Sequence, residues 1–169
     1  KNLINFSKTK KSPISIDLII SNTIKAKGLK FANQYQIKKK IFNFKNIKTT
    51  EKKLFILLKK NKINFICLAG FMKILSSKFI KQFNGKIINI HPSLLPRYKG
   101  LNTHSRAIQN KDKFSGCTVH YVTEKLDSGK IIMQKKIKIL KKDTSSSLAR
   151  KILKQEHKIY PKAILKIFN

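Results

Sequence analysis

The stretch INIHPSLLPRYKG, residues 88–100, joins the end of an apolar segment to a loop that contains two prolines. Side chains alternate across a strand, so Asn89 and His91 would share one face while the neighbouring isoleucines point into a core. A proline directly after His91 favours an extended backbone at the histidine. The pattern therefore predicts a buried strand over residues 87–91 that ends on a polar pair.

Strand and helix patterns alternate on the N-terminal side of this stretch. Short β-branched or apolar runs predict strands at 14–20, 40–44 and 65–69. Helical patterns cover 26–35, 50–61 (with Thr49 or Thr50 as N-cap) and 71–83. This alternation is typical of βαβ units on a parallel sheet.

The pattern changes after the stretch. We expect a short helix over 103–110, strands over 117–122 and 131–139, and a last helix from the Asp143-Thr144 cap to about Tyr160. The predicted fold class is α/β, with a mostly parallel central sheet flanked by helices.

Composition indicates a globular chain with an unusual charge. Its 169 residues suffice for one domain with a sizeable core. The net charge is +32, which would suit a nucleic-acid or membrane-surface partner. Only three of the 39 basic residues are arginine, however, and nucleic-acid readers depend on arginine for bidentate and stacking contacts. We therefore favour a solvated lysine surface and expect no specific nucleic-acid partner. No apolar run approaches the length of a membrane span, so we expect no membrane partner.

Metal and disulfide chemistry have little support in the sequence. Cys67 and Cys117 stand far apart in apolar surroundings, which predicts free thiols in a reducing compartment such as the cytoplasm. There is no Cys/His cluster, so we expect no metal. The six glycines form neither a dinucleotide fingerprint nor a Walker loop.

The polar pair is the first candidate site. Ligands of open α/β sheets bind beyond the carboxyl ends of strands, where Asn89 and His91 would lie. An imidazole suits general acid–base catalysis, and an amide N–H can stabilise an oxyanion. On spacing alone, a strand end with two polar residues and no catalytic role is an equal alternative. Asp127, in KLDSGKI at residues 125–131, is either an ordinary turn aspartate or a partner of His91, and spacing does not decide between them.

Four stretches carry a family resemblance: LAGFMKIL (68–75), INIHPSLLPRYKGLNTH (88–104), GCTVHYVTEKLDSGKII (116–132) and QEHKIYP (155–161). Together they resemble the glycinamide ribonucleotide formyltransferases, folate-dependent enzymes of purine biosynthesis within the formyltransferase superfamily. The resemblance implies a Rossmann-like fold in a single domain over 1–169. It also implies transfer of the formyl group of 10-formyltetrahydrofolate, as cosubstrate, to the amine of glycinamide ribonucleotide.

The resemblance also implies residue roles. Asn89 and His91 would stabilise the oxyanion, His91 would help move the proton through water, and Asp127 would keep the imidazole charged. The folate-contacting positions would be Met72, Lys73, Ile74, Leu75, Asn89, Val122, Thr123 and Glu124. The positions for the nucleotide substrate would be Asn2, Gly70, Pro92 and Glu156.

The resemblance is incomplete at the N-terminus. The family's first strand and glycine-rich phosphate loop have no counterpart before Asn2, and the chain lacks an initiator Met. We therefore expect an N-terminally truncated domain, without its first strand and with impaired phosphate binding.

Alternatives remain within the superfamily and outside it. A formyltetrahydrofolate deformylase would use water as acceptor, and a methionyl-tRNA formyltransferase would need a C-terminal tRNA-binding domain. A basic nucleic-acid-binding protein that kept only the fold is the alternative of a different class. Small-molecule substrates and a monomer or homodimer are expected for the leading hypothesis.

Overall fold

The computed structural model describes all 169 residues and divides into two compact units. One unit comprises residues 1–66 and 71–86, and the other comprises 67–70 and 87–169. The elements in chain order are α1 Asn2–Ser7, β1 Leu18–Ser21, α2 Leu29–Gln34, β2 Lys38–Ile41, α3 Ile47–Lys60, β3 Phe65–Ala69, α4 Ser77–Gln82, β4 Lys86–His91, α5 Thr103–Gln109, β5 Phe114–Tyr121, β6 Ile131–Lys138 and α6 Ser145–Phe168.

The first unit contains the parallel pair β1–β2 and the helices α1 to α4. Both strands differ in position from the prediction: β1 begins later in the apolar run, and β2 lies earlier, over Lys38–Ile41. All four β2 side chains are exposed, so the backbone ladder holds this strand and no apolar pattern reveals it.

Helix α3 begins earlier than predicted, because its N-cap is Asn46 and not Thr49 or Thr50. The Asn46 side chain accepts a hydrogen bond from the Thr49 N–H, which satisfies one free donor of the first turn. The Thr50 hydroxyl is buried and donates to the Asn43 carbonyl, so this threonine serves the interior of the unit.

Helix α4 is shorter than the helix predicted over 71–83. Ser76 is its N-cap and accepts from the Phe79 N–H at 3.1 Å. The buried Glu51 carboxylate also accepts hydrogen bonds from the N–H and the hydroxyl of Ser76. Because these bonds fix an extended backbone at Ser76, residues 71–76 form no helical turn.

The second unit is built on a four-stranded sheet with the order β3-β4-β5-β6. Strand β3 has the predicted bounds, and β4 begins one residue earlier than predicted. The α/β class is confirmed, and the sheet also contains antiparallel pairs, β4 with β5 and β5 with β6. Ile88 and Val119 are fully buried, which places one face of the sheet in the core.

Helix α6 runs to Phe168, well beyond the predicted end near Tyr160, and packs against β5 and β6. Pro161 lies inside it, yet Ala163 and Ile164 beyond the proline are fully buried. Burial of this apolar face offsets the hydrogen bond that the proline removes. A capping box between Thr144 and Ser147 starts the helix. No helix of the chain is long and apolar enough to cross a membrane.

Candidate active site

Two cross-strand pairs form a polar face on β4 and β5. Asn89 lies opposite His120, and His91 lies opposite Thr118. His91, Thr118 and His120 are buried, at 5%, 0% and 2% exposure. Since residues two apart share a face, the sequences Asn-x-His and Thr-x-His bring four polar side chains together. The expectation that Asn89 and His91 face the same way is therefore met.

Asp127 reaches this polar face from the loop between β5 and β6. Its Oδ2 atom lies 3.4 Å from Nδ1 of His91, and its Oδ1 atom lies 3.6 Å from Nε2 of His120. The Gly100 N–H donates to Oδ2 at 2.8 Å and holds the carboxylate in place. Asp127 has a φ of +44°, and a Cβ on nearby Gly129 would approach the Tyr121 carbonyl to 1.8 Å. The tight loop thus depends on Gly129 to bring Asp127 to the histidines.

The hydrogen-bond geometry determines where His91 carries a hydrogen. Nε2 lies 2.8 Å from the Tyr98 carbonyl oxygen, which only accepts, so the Nε2–H donates to it. Nδ1 faces the Asp127 carboxylate, which also accepts when ionised. Acceptor groups therefore face both ring nitrogens of His91.

His120 has the opposite character. Its Nδ1–H donates to the Tyr121 carbonyl at 2.8 Å, which leaves Nε2 as an acceptor. The pKa of His120 is lowered, chiefly by burial, although the Tyr121 carbonyl and Asp127 act in the other direction. The neutral ring can accept from the Asn89 amide nitrogen, 3.4 Å away. This contact orients the amide and leaves its second N–H free for a ligand.

Glu156 on α6 is a half-buried carboxyl in the same unit. Burial raises its pKa to about 7, so it titrates near neutral pH. Its negative charge contributes to raising the pKa of Cys117 and of Tyr160, which places the carboxyl close to the interior. Burial, helped at Cys117 by Glu156, raises the pKa of Cys117 and of Cys67 to about 12, so neither thiol is a nucleophile near neutral pH.

The remaining candidate positions of the second unit border the polar face in sequence. Pro92 follows His91 and is half-buried. Val122 follows β5, and its N–H donates to the Ile87 carbonyl at 2.8 Å, whereas Thr123 and Glu124 after it are exposed. Gly70 follows β3 with a φ of +65° and open space where a Cβ would lie, so backbone at this position is open to close approach.

Five candidate positions belong to the first unit. Asn2 is the first residue of α1 and is half-buried. Met72, Lys73 and Ile74 are exposed in the segment before α4, with Met72 at 65% and Ile74 at 61%, whereas Leu75 is buried. The helix predicted over 71–83 includes these four residues, and this part of the prediction is wrong, since the helix begins at Ser77.

Sequence reasoning missed part of this site. Tyr98 and Gly100 contact the catalytic candidates through backbone atoms, and a backbone contact leaves no mark in side-chain type. His104 also has a buried Nδ1 atom without a hydrogen-bond partner. Burial, and to a lesser extent His91, lowers the pKa of His104. No group of three or more His, Cys, Asp or Glu side chains is arranged to hold a metal ion.

Comparisons with known proteins match the chain to one family. Residues 1–164 match the family model described as Formyl transferase. The chain is 43% identical over 155 residues to the phosphoribosylglycinamide formyltransferase of Haemophilus influenzae, covering 90% of this chain and 73% of that protein. It is 39% identical over 165 residues to the human trifunctional purine biosynthetic protein adenosine-3, of which it spans 16%.

Solved structures show the same similarity. The phosphoribosylglycinamide formyltransferase of Anaplasma phagocytophilum superposes with a TM-score of 0.89 at 42% identity, over 96% of this chain and 77% of that one. The corresponding structure from Bacillus halodurans gives a TM-score of 0.93 at 32% identity, over 99% and 88%.

Proposed function

This chain belongs to the formyl transferase family, and we propose that it transfers the formyl group of 10-formyltetrahydrofolate to the amine of glycinamide ribonucleotide in purine biosynthesis. The observation that supports this proposal most is the joint arrangement of Asn89, His91 and Asp127 at one end of β4. It combines a free amide N–H with a buried imidazole beside a carboxylate, and it contains no activated thiol. These are groups for direct attack of an amine on a carbonyl.

The proposed reaction proceeds through a tetrahedral intermediate. The substrate amine forms a new C–N bond to the formyl carbon, and the formyl oxygen becomes negative. The free N–H of Asn89 and the positive imidazole of His91 stabilise that charge. The C–N bond to the folate then breaks, the attacking amine loses a proton, and the folate nitrogen gains one. His91 and Asp127 act in this proton transfer through a water molecule.

The two substrates have separate binding segments in this proposal. Exposed Met72 and Ile74 offer apolar contact to the folate, together with Val122–Glu124 at the β5–β6 loop. Glu156 serves the nucleotide substrate, along with Asn2, Gly70 and Pro92. A carboxyl that titrates near neutral pH can ionise when a positively charged amine approaches it. No resident metal takes part in the proposed chemistry.

The rival acceptor is water, as in a deformylase. The name of the Haemophilus influenzae relative favours glycinamide ribonucleotide, and both substrates are then small molecules. The proposal implies no nucleic-acid partner for the lysine surface and a cytoplasmic reaction by a monomer or homodimer.

Dependence on the acceptor tests the proposal. Release of tetrahydrofolate from 10-formyltetrahydrofolate is followed by absorbance, with and without glycinamide ribonucleotide. We expect release only when the nucleotide is present. Equal release without the nucleotide would establish a hydrolase, and no release in either case together with salt-sensitive RNA binding would favour a basic binding protein.

A further inference from the structure

The loop after β4, residues 92–98, begins beside His91 and returns to it. At its start, the Ser93 N–H donates to the His91 carbonyl at 2.9 Å. At its end, the Tyr98 carbonyl accepts from Nε2 of His91 at 2.8 Å. Within the loop, the Ser93 hydroxyl donates to the Arg97 carbonyl at 2.6 Å. The position of this loop therefore determines which acceptor the imidazole meets.

One buried hydroxyl holds the middle of the loop. Thr118 lies on β5, directly opposite His91, and is 0% exposed. Its Oγ1 donates to the Ser93 carbonyl at 2.6 Å and accepts from the Leu95 N–H at 3.1 Å. The hydroxyl thus bonds an acceptor and a donor of the loop backbone at the same time, which an alkyl side chain of the same shape could not do.

Gln134 on β6 completes this arrangement. Its amide nitrogen donates to Oγ1 of Thr118 at 2.8 Å and to the Leu95 carbonyl at 2.8 Å. Gln134 is itself exposed, so it reaches the buried hydroxyl from the surface. Thr118 and Gln134 thereby bind three backbone groups of the loop, which are the Ser93 carbonyl, the Leu95 N–H and the Leu95 carbonyl. A buried polar group left without its partner costs about 1–3 kcal/mol.

We propose that Thr118, supported by Gln134, is a positioning residue for His91: it holds loop 92–98 so that the Tyr98 carbonyl meets Nε2, keeps hydrogen on Nε2 and fixes the orientation of the imidazole. Thr118 is not a catalytic residue, because its hydroxyl is fully engaged by the loop and by Gln134. Its effect on formyl transfer rests on the proposed function, whereas its effect on the imidazole does not.

Four variants separate positioning from ordinary stability. Thr118→Val keeps the shape and removes the hydroxyl, Thr118→Ser keeps the hydroxyl, and Gln134→Leu removes the supporting amide at an exposed position. Gln82→Leu, at an exposed position in α4, is the matched control. Displacement of a catalytic group by about 1 Å costs about 100-fold in rate. We expect Thr118→Val to lower kcat by about 10- to 100-fold with little change in KM. Thr118→Ser should retain most of the wild-type kcat.

A second measurement reports the hydrogen on the His91 ring directly. Nitrogen-15 NMR of the substrate-free protein at one fixed pH reports which ring nitrogen of His91 carries hydrogen. A fixed pH is needed because Asp127, His104 and His120 interact electrostatically with His91. We expect hydrogen-bonded Nε2–H in the wild type, in Thr118→Ser and in Gln82→Leu, and a weakened or lost Nε2–H signal in Thr118→Val and Gln134→Leu.

Both kcat and the His91 spectrum distinguish a positioning role of Thr118 from a purely structural one. If Thr118→Val or Gln134→Leu loses only stability and keeps both kcat and the His91 spectrum of the wild type, Thr118 is structural and the inference is wrong. Should Thr118→Val fail to fold, Gln134→Leu decides the question through the same two readouts. If the wild type shows no formyl transfer, but the His91 spectra of the wild type and the variants differ as expected, only the proposed function is contradicted.

Discussion

The Oδ2 atom of Asp127 lies 3.4 Å from Nδ1 of His91, so the loop between β5 and β6 supplies a carboxylate to the end of β4. His91 donates on its other side to the Tyr98 carbonyl. The imidazole is thereby held between the Tyr98 carbonyl dipole and the Asp127 carboxylate, at the strand end where the proposed reaction develops negative charge.

Replacing Asp127 by Asn tests the carboxylate. Asp127→Asn keeps the size of the side chain but removes the charge beside His91, so turnover should fall by about 100- to 10,000-fold, the range of lost acid–base catalysis. Steady-state kinetics of formyl transfer measure the effect. Asp17→Asn, at an exposed position in the first unit, should behave as the wild type. Near-normal turnover in Asp127→Asn would remove this residue from the mechanism.

Removing the Asn89 amide tests the oxyanion donor. Asn89→Ala deletes the N–H that His120 orients, and loss of one such donor costs about 100- to 1,000-fold in kcat. Asn84→Ala, at an exposed position before β4, is the matched control. Single-turnover rates report the chemical step, and an unchanged rate in Asn89→Ala would mean that another group binds the formyl oxygen.

The raised pKa of Glu156 predicts a pH-dependent cost to stability. Between the ordinary value of 4.5 and about 7, the folded state keeps the carboxyl protonated while the unfolded state ionises it. Stability is therefore lost as pH rises through this window, by a total of about 3–4 kcal/mol at about 1.4 kcal/mol per pKa unit. Glu156→Gln should be more stable than the wild type near pH 8 and equal to it near pH 4.

Urea denaturation at the two pH values measures this difference. Asp17→Asn serves as the control for removal of a surface carboxylate. An equal change in the free energy of unfolding at both pH values would show that Glu156 acts through packing and not through ionisation.

The N-cap of α4 gives a prediction for the first unit. Ser76→Ala removes the cap of the Phe79 N–H and one hydrogen bond to the buried Glu51 carboxylate. The free energy of unfolding should fall by about 1–3 kcal/mol. Ser77→Ala, one position further along at an exposed residue, should change it by less than about 0.5 kcal/mol. Equal effects in urea denaturation would contradict the assigned cap.

Local patterns predicted the elements that carry a strong local signal. Strand β3 is a short apolar run followed by Gly70, and β4 ends at the alternating Asn89 and His91, so both were predicted to within one residue. Strand β2 was displaced because backbone pairing alone holds its exposed lysines. Helix α4 was predicted too long because the bond between Glu51 and Ser76 joins distant parts of the sequence.

The candidate site likewise contains residues that local patterns predict and contacts that they do not. Alternation predicted that Asn89 and His91 share a face, and the same rule places Thr118 and His120 on one face of β5. The approach of Asp127 to His91 was implied by the family resemblance, since spacing left it open. The contacts of the Tyr98 carbonyl and the Gly100 N–H depend on how two loops close over the strand ends, which side-chain identity does not encode.

The fate of the formyl carbon distinguishes formyl transfer to the nucleotide from hydrolysis. The protein is mixed with 10-formyltetrahydrofolate labelled with carbon-13 in the formyl group and with glycinamide ribonucleotide, and the products are resolved by NMR. We predict that the label appears as the N-formyl group of the nucleotide, in equal amount to the tetrahydrofolate released. Label recovered as free formate, or left on the folate, would contradict formyl transfer to the nucleotide.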